Sequence, residues 1–159
     1  MRERPTVRVV LLSPSHRLLL MHFVANITAG PRSFWATVGG EIEAGETLAE
    51  AASREITEET GMIGVPIGPV VWRHDHILAV SGEPMQFRER YVVAHAPHED
   101  VSTAGFTEIE REVIRDLRWW SIEDIAATRE TIFPNALARL LPDIIAGRLP
   151  PQPIDLPAA

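Results

Sequence analysis

Glu55, Glu58 and Glu59 stand at i, i+3 and i+4 in the run Arg54-Glu55-Ile56-Thr57-Glu58-Glu59-Thr60. At about 100° per residue, a helix turns Glu58 about 60° to one side of Glu55 and Glu59 about 40° to the other, so three carboxylates share one flank. Leu48, Ala52 and Ile56 fall near about 20°, 60° and 100° on the same wheel, which makes the apolar stripe overlap the side of Glu55 and Glu59. An acidic run that merely solvates a surface would avoid that overlap. Like charges at i,i+4 cost a helix about 0.2–0.5 kcal/mol, and partial burial of unpaired carboxylates costs far more. The pattern therefore asks for positive charge. Arg54, four residues before Glu58, can fix one side chain but cannot neutralise three. A hard divalent ion, magnesium or manganese, suits an all-oxygen donor set and brings phosphate chemistry with it. Calcium is disfavoured because the Asp-x-Asp loop with its closing glutamate is absent.

The whole chain narrows the chemistry in the same direction. Its 159 residues suit one domain, and 45% hydrophobic with 23% charged residues is the balance of an ordinary globular protein. There is no cysteine, and all 15 basic residues are arginine. Thiol chemistry, disulfides, cysteine zinc sites, Schiff bases and lysine-dependent phosphate loops are thereby excluded. The absence of lysine by itself reads as codon bias. Of the formal charge of −7, residues 40–62 carry −6, and the rest of the chain is nearly neutral. Such a balance argues against binding extended nucleic acid, whose affinity rests on basic side chains. No secretory leader or membrane span is read, and a cytoplasmic location is expected.

The elements that must position the glutamates can be read on either side of them. Val7, Val9 and Leu11 mark a strand ended by Ser13-Pro14, and Leu18 to Val24 a second, expected to pair with the first as a hairpin. Asn26 to Arg32 reads as a loop and Phe34 to Val38 as a short strand stopped by Gly39-Gly40. Thr47 with Glu50 makes a capping box, predicting a helix to Thr60 capped by Gly61. Val70 to Val80 and Met85 to Ala96 flank the turn Ser81-Gly82-Glu83-Pro84. Arg115 to Trp120 reads as a strand, followed by a short helix opened by a second capping box, Ser121 with Asp124. Pro134 to Gly147 reads as a last helix that Pro142 kinks or splits. Residues 148–159, with Pro150, Pro151, Pro153 and Pro157, read as a loosely ordered tail. The expectation is one mixed α/β domain over 1–147.

Gly40, five residues, Glu46, seven residues, then Arg54-Glu55-Ile56-Thr57-Glu58-Glu59-Thr60-Gly61-Met62 resembles the box that defines the Nudix hydrolases, matching each of its fixed positions. Trp35 and Gly39-Gly40 before it, and Arg118-Trp119-Trp120-Ser121 after it, resemble the family's flanks, extending the likeness to residues 6–147. Val38 departs from the proline that many members carry before the two glycines. The resemblance implies a Nudix α/β/α sandwich with a mixed β-sheet core. It also implies hydrolysis of a nucleoside diphosphate linked to another group X. Divalent cations would be held by Glu55, Glu58, Glu59 and the carbonyl of Gly39, with Arg54 orienting the glutamates. Gly40, Glu46 and Gly61 would support the loop and helix. The partner is a small nucleoside diphosphate derivative, with neither extended nucleic acid nor membrane, and a homodimer is left open.

The general base is open between Glu55, the first choice, and a later glutamate among Glu108, Glu110 and Glu112, whose plainer reading is a solvent-facing segment. Arg88 and Arg90 share a strand face and are candidates for substrate phosphates, with an exposed sheet face the plainer reading. His74 and His76 also share a face, but two histidines do not make a metal site. Trp35, Trp72, Trp119 and Trp120 read as core before base-stacking platforms. The segments that mark NADH-hydrolysing and coenzyme A branches are absent, as is the cysteine of the related diphosphate isomerases. A nucleotide sensor without turnover and a purely structural acidic helix are the competing readings.

Overall fold

The computed structural model describes residues 1–24 and 33–157. The candidate loop at 26–32 therefore lies outside the described residues. In chain order the elements are β1 (Arg2–Leu12), β2 (Leu18–Val24), β3 (Ser33–Glu41), α1 (Leu48–Thr60), β4 (Ile67–Val80) and β5 (Glu83–His95). They continue with α2 (Glu108–Val113), β6 (Ile114–Trp120), α3 (Ile122–Ala127), β7 (Ile132–Phe133), α4 (Leu137–Ile145) and β8 (Ile154–Asp155).

The strands join in one mixed sheet of order β6-β2-β3-β1-β5-β4-β8, with β7 added to β3. β1 is parallel to β5 and antiparallel to β3. Period-two alternation explains why both of its faces are apolar. Val7, Val9 and Leu11 pack toward Ala51, Ala52 and Ile56 of α1, whereas Val10 and Leu12 join Leu137, Leu140, Leu141 and Ile144 of α4. The same alternation sends Leu19 and Met21 of β2 to the α1 layer, and Leu18 and Leu20 to the α4 layer. Each such side chain, when fully buried, contributes about 1.5–3 kcal/mol. The result is the expected α/β/α sandwich.

Several boundaries differ from the sequence reading. β1 and β2 are not a simple hairpin: they meet only at Leu12↔Leu18, because β3 lies between them in the sheet. β3 does not stop at Gly39-Gly40 but runs through them, since Gly39 pairs with Arg8 and Gly40 with Val7. The β4–β5 turn is shorter than read: Val80 pairs with Glu83 across Ser81 and Gly82, both with positive φ, the geometry of a tight type I′ hairpin. α4 begins at Leu137 and continues past Pro142, its four buried apolar residues anchoring it to the sheet despite the missing donor. Of the capping box expected at α3 only one half forms: Ser121 accepts from the amide of Asp124, without the return bond to the Asp124 side chain.

The proline-rich end is not a loose tail throughout. Ile154 and Asp155 add an edge strand beside Trp72 and Arg73, Leu156 enters the α4 layer, and Asp155 pairs with Arg73 at 2.8 Å. Burial of Leu156 and these bonds outweigh the disorder that the prolines suggested. No helix among the described residues is long and apolar enough to cross a membrane.

Candidate metal-binding active site

α1 forms where its caps dictate. The Thr47 hydroxyl accepts from the Glu50 amide at 3.1 Å, the Glu50 carboxylate accepts from the Thr47 amide at 2.9 Å, and Gly61 closes the helix at φ 79°. With the helix so fixed, Ala51, Ala52 and Ile56 bury against the sheet and carry Glu55 and Glu59 down beside β3. Glu59 is only 1% exposed and Glu55 6%. Glu58, on the other side of Glu55, stays partly exposed.

Burial first, then hydrogen bonding and charge from Glu55, push the Glu59 carboxyl well above the ordinary range. Burial and the Glu55 charge also raise Glu58, against the pull of Arg54. Arg8 and the Gly39 amide, which donates to Glu59 at 3.4 Å, offset little of that cost.

Arg54 organises the outer edge. Its Nε and Nη2 donate to the two oxygens of Glu46 at 2.7 and 2.9 Å, its Nη1 donates to Glu55 at 2.9 Å, and Nη2 also reaches the carbonyl of Glu41 at 3.0 Å. Glu58 lies 3.5 Å from the same Nη1. The bidentate arrangement locks Arg54 to the loop before α1, and holds the Glu46 carboxyl down at about 2, with the Glu43 amide as a second donor.

Gly39 lets β3 close onto β1, and Gly40 brings β3 against α1. A Cβ on Gly39 would stand 2.1 Å from the carbonyl oxygen of Val7, and one on Gly40 would stand 2.3 Å from Oε1 of Glu55. Gly39, closed in by backbone, admits no side chain, whereas one at Gly40 would have to displace the Glu55 carboxylate.

A third carboxylate comes from α2, a helix not expected from the sequence, on the segment that carries the alternative candidates for the base. Glu110 lies on α2, and one oxygen each of Glu55, Glu59 and Glu110 falls within 4.8 Å of the other two. The plain solvent-facing reading of this segment holds for Glu108 and Glu112, which are exposed, but not for Glu110. A signal was present: Thr107 and Glu110 form a capping box of the same kind as Thr47 and Glu50. Its Oε1 accepts from the Thr107 amide at 3.0 Å, which leaves the second oxygen.

The other candidates sit elsewhere. Arg90 pairs with Asp75 at 2.8 Å, and Arg88 with Glu3 at 2.8 Å and Asp75 at 3.4 Å, so both guanidinia are engaged by carboxylates. Trp35, Trp72 and Trp120 are buried in the α4 layer, and half-buried Trp119 donates to the Glu99 carbonyl at 2.9 Å.

The donor set fits a hard divalent cation. Its atoms are all oxygens, two of its carboxylates are buried together, and the cation of Arg54 meets only one of them.

Residues 2–143 match the NUDIX domain. This chain belongs to the Nudix hydrolase family. Membership supports a pyrophosphohydrolase. Among solved structures, it is similar to the dihydroneopterin triphosphate pyrophosphohydrolase of E. coli, with 18% identity, a TM-score of 0.63, and 92% of this chain and 99% of that one covered. The NUDIX domain of Shewanella oneidensis NrtR, in complex with ADP ribose, gives 16% identity, a TM-score of 0.65, and 91% and 90% coverage. At these identities the likeness is one of fold. A 64-residue stretch is 39% identical to an octanoyltransferase of Myxococcus xanthus, covering 40% of this chain and only 18% of that protein's length.

Proposed function

We propose that this Nudix chain is a divalent-metal-dependent hydrolase that cleaves the diphosphate linkage of a nucleoside diphosphate joined to another group. The observation that carries the reading is the convergence of Glu55, Glu59 and Glu110 from two separate helices, with Glu55 and Glu59 buried. Magnesium or manganese, when bound, would neutralise diphosphate charge and acidify a coordinated water. Glu55 and Glu59 would hold the ion, with Glu58 and the Gly39 carbonyl at its margin.

The remaining roles follow from the hydrogen bonds. Arg54 aims Glu55 by its 2.9 Å bond, and Glu46 keeps Arg54 from swinging away. Burial keeps the carboxylates from rotating, so their orientation is set before substrate arrives. Glu110 is the better placed acceptor for the water proton: it is the least buried of the three, and its one hydrogen bond comes from a neutral amide where that of Glu55 comes from a guanidinium. The water oxygen bonds to phosphorus, its proton passes to Glu110, and the anhydride oxygen leaves with the second phosphate.

The test is phosphate release, coupled through pyrophosphatase or phosphatase, from nucleoside triphosphates, nucleotide sugars, ADP-ribose and dinucleoside polyphosphates. Each is run with magnesium, manganese or chelator. Metal-dependent turnover of one class supports the reading and names the group. Tight nucleotide binding without turnover across the panel would instead favour a sensor.

A further inference from the structure

Across the sheet from α1, a second cluster collects on β1, β4 and β5. His74 and His76 occupy alternate positions of β4, and the register His74↔Glu89 sets the carboxylate of β5 opposite them. Both imidazoles approach the same oxygen: Oε1 of Glu89 lies 2.7 Å from Nε2 of His76 and 3.3 Å from Nδ1 of His74. The other oxygen, Oε2, accepts from Nε of Arg8 at 2.8 Å. The rings themselves are stacked, with centroids 4.4 Å apart, and His76 stacks in turn on Phe87. Glu89 is 6% exposed.

We propose that His74, His76 and Glu89 form a second, transition-metal site for a divalent ion of the zinc type, separate from the all-carboxylate site on α1. One ligand atom from each residue lies within 4.8 Å of those of the other two. Ligand atoms about 2.1 Å from a zinc ion stand about 3.3–3.5 Å apart in a tetrahedron, so the His74–Glu89 contact at 3.3 Å already fits and the His76–Glu89 contact at 2.7 Å must open by about 0.6–0.8 Å. Two imidazoles and one carboxylate are a ligand set of zinc sites with three protein ligands, which leave the fourth position to water or substrate. Imidazole also selects zinc over magnesium, whose preference is oxygen, so the two clusters of this chain sort ions by chemistry.

The surroundings fit such a site. Arg8 claims the oxygen that the histidines do not, as a residue one step back from a metal does when it fixes a ligating carboxylate. Nε2 of His74 is buried and makes no hydrogen bond among the described residues.

The experiment uses the full chain freed of any histidine tag, stripped by chelator and held in excess magnesium. Zinc is titrated calorimetrically into the wild type, His76→Ala and His74→Ala. Crystals of the wild type soaked in zinc are measured at the zinc absorption edge. The expected results are one zinc per chain, loss of that binding in each histidine variant, retention in Glu59→Gln, and an anomalous peak between His74, His76 and Glu89. A peak found only at Glu55, Glu59 and Glu110, or no zinc binding in magnesium, would overturn the site. The soaked wild-type crystal decides the matter even if a histidine variant fails to fold.

Discussion

The backbone of Gly40 lies so close to Glu55 that a Cβ there would stand 2.3 Å from its Oε1. The glycine thus sets the position of a carboxylate on another element. Gly40→Ala is expected to displace Glu55 and leave the fold standing, because the clash is with a side-chain terminus. A displacement on the scale of 1 Å costs about 10²-fold in turnover. Steady-state kinetics with a thermal melt checks both halves: unchanged kcat would show that Glu55 is not held in a required geometry.

Glu59 carries a carboxylate that burial and Glu55 both penalise. Glu59→Gln removes that penalty while keeping the shape. Metal-free protein is expected to keep or raise its Tm in this variant, and turnover to fall at least about 10²-fold, the scale of losing one preorganised electrostatic contact. A drop in metal-free Tm by calorimetry would mean that Glu59 is a stabilising group and not one held ready for a cation.

Glu110 is distinguished from its neighbours by placement alone. Glu110→Gln retains a side chain able to cap α2, so a loss there reports the missing charge or base. It should lower kcat by about 10²-fold or more, whereas Glu108→Gln and Glu112→Gln should leave it within about twofold. Equal losses in all three would return the segment to a general acidic surface.

The Glu46–Arg54 pair should make stability depend on acid. Glu46 titrates near 2 in the folded protein against an ordinary 4.5. Its contribution is therefore fully present above pH about 4.5 and is lost as pH falls toward 2. Denaturant melts of wild type and Glu46→Gln should differ most near neutrality and converge in acid. A gap that stays constant with pH would show that the pair contributes through packing alone.

Much of this was legible from local pattern. Thr47, Glu50 and Gly61 set the ends of α1, and the overlap of Leu48, Ala52 and Ile56 with Glu55 and Glu59 foretold their burial. Strand order was not legible, because nothing local says that β3 inserts between β1 and β2. Glu110 was weighed only as one of three acids, since its approach to Glu55 and Glu59 is set by where β6 joins β2 and carries α2 with it. Glu89 went unnoticed for the same reason: its partners His74 and Arg8 are neighbours only through strand pairing. Arg88 and Arg90 showed a shared face in the sequence, but not the Asp75 that occupies them.

The most direct measurement follows phosphorus NMR signals of the substrate found in the panel, with wild type and Glu59→Gln side by side. The account predicts that wild type converts the anhydride signals to those of cleaved phosphates with magnesium or manganese and not with chelator, while Glu59→Gln leaves them standing. Conversion that persists in chelator, or proceeds undiminished in Glu59→Gln, would contradict the assignment of the buried carboxylates to metal-dependent hydrolysis.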